Sequence, residues 1–412
     1  MDVKLGYLVP EFPGQTHAFF WREVKELELA GAKVDLISTR PPVEAIASHA
    51  WGDDARARTA YLSSPDLRRA LRAIAMLGSA VVSGRMRAVV RSLTSPGDSR
   101  AHTLRTIAAS AVLAAQARSA GWSHVHVHSC AGSADIAMTA RLLFGLTYSL
   151  TLHGPLADYG PRQDQKWSHA EFGLIITETL AAPTREILGE ALPERVSLAP
   201  MGIRTVEMQR ESPYRAWAGQ GPLVVFSCGR LNPAKGHDTL ITAIKTLQGM
   251  QVPARLTIAG EDEQGGSGYR RQLEELIAHL DLVEHVELLG AVDEDTIRQR
   301  LAGAHVFALA SHGEPLGVAI MEAMAMSIPV VVGDGGGVRE LVVDGVGVLV
   351  DPESPLGVAS GIRAIALDPA YACALSAAGR ASVISRFDSG NSARTLFDEV
   401  ARTLSTRAGT AA

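Results

Sequence analysis

The sequence is poor in cysteine and has no long apolar run, and both absences exclude classes of protein. Its three cysteines, Cys130, Cys228 and Cys373, are widely spaced and odd in number, so they predict neither a disulfide framework nor a metal cluster. A reducing, cytoplasmic compartment fits this cysteine usage. No apolar run reaches the roughly 20 residues that a membrane-spanning helix needs. The first residues, MDVKLGYLVPEFPG, also lack the pattern of a secretory signal peptide.

A strong excess of charge of one sign is lacking as well. The 412 residues include 39 lysines and arginines against 44 aspartates and glutamates, which gives a net charge of -5. This balance argues against a nucleic-acid-binding protein that depends on bulk positive charge. Apolar residues make up 47% and charged residues 20%, values close to the globular average that exclude bulk disorder. The length predicts two or three domains.

Short apolar runs alternate with helical stretches along almost the whole chain. Most runs have nearly uninterrupted apolar character and are followed by Gly, Pro or Ser, which is typical of parallel strands covered on both faces. The alternation predicts doubly wound α/β sheets. The predicted strands lie near residues 4–9, 33–38, 124–128, 147–152, 172–177, 195–199, 223–228, 254–260, 285–289, 304–309, 328–332 and 347–350.

The strand pattern restarts in the middle of the chain. Residues 201–222 are polar, lack a clear period and contain two prolines and three glycines, which indicates a linker. We therefore predict two Rossmann-like domains, 1–203 and 223–388, joined by a linker over 204–222. The last segment, 389–412, is predicted to form a helix over 391–406 that ends in a flexible tail.

A basic helical segment at residues 65–120 interrupts the first domain. It contains nine arginines, but its only acidic residues are Asp66 and Asp98. One interpretation is an amphipathic face that lies on an anionic membrane. The other is a helical insertion whose arginines are solvated or paired with acids elsewhere. The arginines are residues 68, 69, 72, 85, 87, 91, 100, 105 and 118.

Two glutamates in the second half are spaced so that both can reach one pocket. Glu314 lies in the loop after the strand AHVFALA, and Glu322 lies about one turn into the next helix. Ligands of open α/β sheets bind at the carboxyl ends of strands. The glycines of GDGGG, before a further helix, offer free N–H groups to an anion. Taken alone, Glu322 also suits a pair with a buried cation, and the glycines suit a simple turn.

A basic loop follows the first strand of the second half. In FSCGRLNPAKGH, Gly229 allows a tight turn, and Arg230 and Lys235 precede the next helix. Two cations at this place suit a diphosphate, although an ordinary surface loop is the alternative. The dinucleotide fingerprint G-x-G-x-x-G is missing, which disfavours a hydride-transferring dehydrogenase.

Together these motifs resemble a large enzyme family. GRLNPAKG at 229–236, GEPLGVAIMEAMAMSIPVVV at 313–332 and GDGGGVRELVVDG at 333–345 are similar to the retaining glycosyltransferases of the GT-B fold called family 4, or glycosyl transferases group 1. The resemblance covers 223–388 strongly and 1–200 more loosely, where it is closest to exopolysaccharide-type members. It implies an α/β protein of the GT-B fold, with two Rossmann-like doubly wound domains facing a central cleft and a C-terminal helix within 389–412 that packs back on the N-terminal domain.

The resemblance also implies roles for the residues of the donor site. Arg230 and Lys235 would hold the pyrophosphate of a nucleotide-sugar, Glu314 the sugar hydroxyls, and Glu322 the ribose. The base would lie near Ala291 and Val292. The residues implied in catalysis are Arg230, Lys235, Glu314 and His153, and those implied in donor binding are Gly14, Gly229, Ala291, Val292, Pro315, Leu316, Gly317 and Glu322.

The resemblance assigns the acceptor to the first half, where Thr16, His128 and Asp158 are the implied residues. Thr16 is equally suited to be the N-cap of the helix that follows it. His153 in TLHG matches the family's strand-end histidine, with a purely structural role as the alternative. The family often has an aspartate three residues after this histidine. Leu156 occupies that position here, and Asp158 lies two residues later. His124, His126 and His128 share one strand face without a carboxylate at ligand spacing, so no metal site is expected.

The expected activity is metal-independent transfer of a hexosyl unit with retention at the anomeric carbon. The donor would be a UDP-sugar, with GDP-mannose as second candidate. The acceptor would be a glycan, a lipid-linked molecule or a small molecule. We expect no cofactor and no nucleic acid partner, and a cytoplasmic protein at the inner face of the membrane. The alternatives are a nucleotide-sugar 2-epimerase, a pseudo-glycosyltransferase and a catalytically silent nucleotide-sugar-binding protein.

Overall fold

The chain divides into two compact units. The structure, a computed structural model, describes residues 3–14, 17–42, 50–86, 89, 99–262 and 268–410, without the side chains of 407–410. Unit 1 contains nearly all described residues up to Pro200 and the C-terminal segment from Ser392, and unit 2 contains Met201–Asn391. Each unit is built around one parallel sheet.

Unit 1 has a seven-stranded sheet in the order β3-β2-β1-β4-β5-β6-β7. All its neighbouring strands are parallel. The strand order reverses between β1 and β4, the kind of switch point at which open α/β sheets bind ligands. The strands are β1 (Lys4–Glu11), β2 (Lys33–Arg40), β3 (Ala60–Tyr61), β4 (His124–Val127), β5 (Thr147–Leu152), β6 (Gly173–Ile175) and β7 (Val196–Leu198). The helices up to β7 are α1 (Ala18–Leu29), α2 (Gly52–Arg58), α3 (Leu67–Val82), α4 (Arg100–Ala120), α5 (Gly132–Phe144), α6 (Gln163–Ser168) and α7 (Glu178–Leu188).

Unit 2 has a six-stranded parallel sheet in the order β10-β9-β8-β11-β12-β13. Its switch point lies between β8 and β11. The strands are β8 (Leu223–Cys228), β9 (Ala254–Ala259), β10 (Val286–Gly290), β11 (Val306–Leu309), β12 (Val330–Gly333) and β13 (Val348–Val350). The helices are α8 (His237–Gly249), α9 (Tyr269–His279), α10 (Glu294–Gly303), α11 (Val318–Ala325), α12 (Val338–Leu341), α13 (Pro355–Leu367), α14 (Pro369–Arg386) and α15 (Ser389–Thr410), which runs on into unit 1.

The two doubly wound sheets confirm the predicted fold class, and all twelve predicted strands are present. Leu5, Tyr7, Leu8 and Val9 of β1 are almost fully buried, as expected for a parallel strand covered on both faces. The sequence prediction missed β3 because a strand of two residues has no apolar run to reveal it.

The C-terminal helix α15 packs into the core of unit 1. Ala393, Leu396 and Val400 are fully buried there. Glu399 forms an ion pair with Arg195, which also donates to Thr403 Oγ1 at 2.7 Å. The predicted flexible tail is wrong at its start, because the helix continues to Thr410. At the predicted end, the hydroxyl of Thr406 donates to the carbonyl of Arg402 at 3.1 Å.

The segment predicted as a linker packs on unit 2. Trp217 is 8% exposed and belongs to the core of that unit. Tyr214 Oη donates to the carbonyl of His305 at 2.8 Å. The linker prediction did not recognise these two aromatic residues because the sequence around them is polar. Through them, part of the segment packs against the rest of unit 2.

The basic segment contains two helices, α3 and α4, within its described residues. Asp66 caps α3 by accepting from the backbone N–H of Arg69 at 2.8 Å. Across the described part of the chain, no single helix has the length and apolar character to cross a membrane. The helices α13 and α14 reach that length and composition only as a pair, and they meet at a bend of 103°.

Candidate functional site

The basic loop of unit 2 lies at the carboxyl end of β8. The loop closes with a turn at Pro233–Lys235, and α8 then begins at His237. Gly236 has φ +61°, and a Cβ there would lie 1.9 Å from the carbonyl oxygen of Ala310. Glycine therefore allows the loop to pack directly against the chain that leaves β11.

Lys235 forms an ion pair with Glu314, whose loop follows the adjacent strand β11. Glu314 is 7% exposed, so its carboxylate depends on this partner for charge compensation. Arg230 lies in the same loop as Lys235 and is exposed. The structure thus brings two of the four predicted catalytic residues, Lys235 and Glu314, into direct contact, and Arg230 belongs to the same loop as Lys235.

The glycine loop after β12 holds Glu314 in place through its backbone. Gly337 N–H donates to the carbonyl of Glu314 at 2.8 Å, and Gly335 N–H donates to that of Gly333 at 3.1 Å. A Cβ on Gly336 would lie 2.3 Å from the carbonyl oxygen of Glu314. The expectation that this glycine run offers free N–H groups to an anion is therefore wrong for Gly335 and Gly337. Close backbone packing is the physical reason for the glycines.

Glu322 lies on α11, one turn after its start at Val318, and faces the end of β8. Burial, and to a smaller extent the charge of Glu322, raise the pKa of the Cys228 thiol to about 12, while the charge of Lys235 acts to lower this pKa. The two glutamates and Lys235 are consequently close to one strand end, as their spacing predicted.

The remaining donor residues of unit 2 lie in three loops at the same sheet edge. Gly229 follows β8 and donates its N–H to the carbonyl of Ala259 at 3.0 Å. Ala291 is exposed and Val292 half-buried after β10. Pro315, Leu316 and Gly317 connect Glu314 to α11, with Leu316 buried and Gly317 at φ +100°.

In unit 1, His128 and His153 are in contact at the carboxyl ends of β4 and β5. His128 Nδ1 lies 3.1 Å from His153 Nε2, and His128 Nε2 lies 3.1 Å from Glu23 Oε2. The same carboxylate oxygen accepts from Tyr7 Oη at 2.8 Å. Sequence reasoning missed Glu23, because an acidic residue on α1 has the pattern of a solvated helix face.

The other two histidines of β4 are hydrogen-bonded to hydroxyl groups of β5. His124 contacts Thr147 and Ser149, and His126 contacts Ser149 and Thr151, at 2.7 to 3.1 Å. Desolvation by burial holds the pKa of His126 well below its usual range. Desolvation lowers the pKa of His128 and of His153 to about 3, so these imidazoles are neutral.

No described group of three or more His, Cys, Asp or Glu side chains is placed to hold a metal ion. Metal independence stays a prediction.

The other predicted residues of unit 1 are Gly14, Asp158 and Thr16. Gly14 lies in the loop after β1, where a Cβ would be 2.6 Å from His17 Nδ1. Asp158 is exposed on a short turn after β5. Thr16 lies outside the described residues, and His17 occupies the N-cap position of α1.

A buried ion cluster beside this edge also escaped the sequence analysis. Lys166 Nζ lies 3.4 Å from Asp135 Oδ2 and donates to the carbonyl of Cys130 at 3.0 Å. Arg162 Nε lies 3.3 Å from the other oxygen of Asp135. The fully buried lysine joins α5 to α6, and the signal that could have found it is the pair of basic residues Arg162, the N-cap of α6, and Lys166, in its last turn.

Comparison with known proteins connects unit 2 to one family. Residues 215–382 match the family model described as glycosyl transferases group 1. The chain is 31% identical over 224 residues to a GDP-mannose-dependent alpha-(1-6)-phosphatidylinositol monomannoside mannosyltransferase of Mycobacterium tuberculosis, covering 50% of this chain and 57% of the relative. It is 30% identical over 185 residues to a D-inositol 3-phosphate glycosyltransferase of Geodermatophilus obscurus, covering 42% of this chain and 40% of the relative. The chain thus spans about half the length of the curated relatives it matches.

Solved structures extend the likeness to the whole fold. A sucrose-phosphate synthase from Thermosynechococcus elongatus has a TM-score of 0.72 at 20% identity, over 98% of this chain and 100% of that one. Anabaena Alr3699/HepE in complex with UDP and glucose has a TM-score of 0.71 at 18% identity, over 98% and 100%. Identities this low establish the fold alone.

The family model matches residues 215–382, less than half of the chain, and the named relatives are glycosyltransferases. The paired sheets and their structural neighbours establish the architecture. Residues 215–382 are therefore similar to the glycosyl transferases group 1 family, and the fold of the chain is that of its GT-B structural neighbours.

Proposed function

We propose that this protein is a retaining, metal-independent glycosyltransferase that moves a hexosyl unit from a nucleotide-sugar to an acceptor hydroxyl. The observation that carries the proposal is the contact between Lys235 and Glu314 at the ends of β8 and β11. A cation for a diphosphate and a carboxylate for sugar hydroxyls are thereby held side by side. Arg230 supplies a second cation in the same loop.

In the proposed reaction, the acceptor oxygen bonds to the anomeric carbon on the face from which the diphosphate leaves. The bond between that carbon and the diphosphate oxygen breaks, and this oxygen takes the proton of the acceptor hydroxyl. Negative charge grows on the diphosphate, and Arg230 and Lys235 stabilise it. Lys235 has three N–H donors, so it can bond Glu314 and a phosphate oxygen together. Glu314 would then orient the sugar.

We propose a UDP-sugar as the first donor to test and GDP-mannose as the second. The Alr3699/HepE structures were solved with UDP and with UDP-glucose. The mycobacterial relative, which is closer in sequence, is named for GDP-mannose. Glu322 would hold the ribose of either donor, and Ala291 and Val292 would lie near the base.

The acceptor that we propose is a glycan, a lipid-linked molecule or a small molecule, in an exopolysaccharide-type pathway. The names of the relatives include inositol-containing acceptors, one of them a phosphatidylinositol lipid. The proposed acceptor residues are His128 and Asp158 together with Thr16, and His153 would meet the sugar. A cytoplasmic location is supported by the free thiols of Cys130, Cys228 and Cys373.

The test compares Lys235→Ala with Lys245→Ala, an exposed lysine on α8. Release of nucleotide from UDP- and GDP-sugars is measured with chelator present, and thermal unfolding is measured with each nucleotide. We expect Lys235→Ala to lower kcat/KM by at least about a hundredfold, because charge stabilisation in the transition state is lost. Lys245→Ala should be unchanged.

Equal turnover in the two variants would remove Lys235 from the reaction, and dependence on added metal would contradict the proposed mechanism. Sugar product that is epimerised at C2, formed without any acceptor, would favour a 2-epimerase. Nucleotide-dependent stabilisation without turnover would favour a silent binding protein.

A further inference from the structure

The helix α3 exposes a stripe of large aliphatic side chains. Five of these side chains face outward. At 3.6 residues per turn, they lie on an arc of roughly 100° of the helix surface. The opposite face buries Ala73, Met76 and Ala80. The exposed fractions are 74% for Leu67, 58% for Leu71, 65% for Ile74, 60% for Val81 and 90% for Val82. A contiguous exposed apolar surface of this kind marks a place of interaction.

The surroundings of the stripe carry positive charge. Arg68 and Arg72 flank it on α3, and Arg118 projects from the last turn of α4. From Leu67 to Ala120, the described residues include no aspartate or glutamate. Asp66, just before α3, is already paired with Arg69. A partner for this surface must therefore combine apolar and anionic groups.

A cavity of about 410 Å³ opens between α3 and α4 beside the stripe. Its polar lining consists of Arg72, Arg118 and Ser119, and its apolar lining includes Met76. Arg72 Nη1 donates to Ser119 Oγ, which sets the direction of the guanidinium group. Two guanidinium groups and a hydroxyl are suited to bind a phosphate group through several hydrogen bonds.

We propose that this surface docks the protein on an anionic lipid bilayer. The aliphatic stripe enters the boundary between headgroups and acyl chains, and the cavity between α3 and α4 receives the phosphate of an anionic lipid. The occupant is identified by charge complementarity, since a bilayer offers phosphates and hydrocarbon at adjacent depths. An acidic protein surface without an apolar patch would pair with the arginines and leave the aliphatic stripe in water.

Sedimentation of the full chain with vesicles tests the apolar part. We expect binding to vesicles of phosphatidylcholine mixed with phosphatidylglycerol, little binding to phosphatidylcholine alone, and weakening with salt. Leu71→Glu and Ile74→Glu should each lower the affinity at least about tenfold, because a carboxylate is driven against hydrocarbon and anionic headgroups. Val283→Glu, at an equally exposed aliphatic residue of unit 2, is the matched control. Thermal unfolding confirms that each variant folds.

Arginine substitutions test the phosphate site. Arg72→Ser and Arg118→Ser should each weaken vesicle binding about fivefold, whereas Arg271→Ser, on the exposed surface of unit 2, should not. Equal binding by all variants, or no binding to anionic vesicles at low salt, would overturn the proposal. Inorganic phosphate that stabilises the protein through Arg72, without vesicle binding, would indicate a soluble ligand instead. None of these measurements needs glycosyl transfer, so failure here is distinct from failure of the proposed function.

Discussion

At the scale of single residues, we expect Glu23 to set the positions of protons on the buried His128 and the half-buried His153. Its Oε2 atom is 3.1 Å from His128 Nε2, and the side chains are 13% and 2% exposed. A lone pair facing a carboxylate is unfavourable, so we expect Nε2 to be the protonated nitrogen of His128, although its approach to Glu23 lacks hydrogen-bond geometry. Its Nδ1 then accepts from His153 Nε2–H. Within the described residues, His153 Nδ1 has no hydrogen-bond partner and remains as an acceptor.

We expect imidazole nitrogen NMR of histidine-labelled protein to show His153 with a bare Nδ1 and a protonated Nε2. Glu23→Gln should keep this tautomer through its amide oxygen, and Tyr7→Phe, which leaves the carboxylate in place, should keep it as well. Glu23→Leu should produce a mixture of tautomers. A protonated Nδ1 in the wild-type protein, or an unchanged tautomer in Glu23→Leu, would disprove the argument.

At the scale of elements, the loop between β8 and α8 depends on one glycine. Gly236 combines a positive φ with an approach to Ala310 that leaves no room for a Cβ. Gly249, at the other end of α8, has open space around its Cα. Substitution of each glycine in turn therefore distinguishes a position that requires glycine from the general effect of replacing a flexible glycine.

Gly236→Ala should lower the free energy of unfolding by at least about 2 kcal/mol, because a left-handed conformation and a steric clash both oppose alanine. It should also move Lys235 away from Glu314 and weaken nucleotide binding. Gly249→Ala should be neutral or stabilise by about 0.5–1 kcal/mol through its helix propensity. Urea unfolding and nucleotide titration measure both effects. Equal stability of the two variants would show that the loop tolerates a Cβ.

At the scale of the whole molecule, unit 1 is completed by the far end of the chain. Leu396 and Val400 of α15 are fully buried in its core, and Glu399 pairs with Arg195 near β7. Unit 2 ends at Asn391, before these contacts begin. The stability of unit 1 thus depends on a segment that the chain reaches only after unit 2.

A chain that ends at Asn391 should lose about 3–6 kcal/mol of unit 1 stability, the value of two buried aliphatic side chains. Hydrogen exchange should show lost protection in β1 to β7, while nucleotide still protects unit 2. A chain that ends at Thr406 keeps the buried residues and is the control. Full protection of unit 1 in the shorter chain would contradict this role of α15.

The site was predictable from the sequence where its residues belong to compact local patterns. Arg230 and Lys235 stand together in one loop, and Glu314 and Glu322 are eight residues apart, so strand ends and spacing were sufficient. Glu23, Asp135 and Lys166 were missed because their partners come from distant parts of the chain. A lone acid or lysine has the same local pattern whether it is solvated or buried in a pair.

The alternation of strands and helices could be predicted from the sequence, because buried parallel strands are continuous apolar runs that can be recognised without knowledge of their neighbours. The folded structure was needed to show which charged and polar side chains meet, as Lys235 with Glu314 and Glu23 with His128, because these partners are far apart in the chain. It also decided that the glycines after β12 pack against Glu314 instead of presenting every N–H to a ligand. Periodicity is a local property, whereas pairing depends on how strands far apart in the chain are ordered in a sheet.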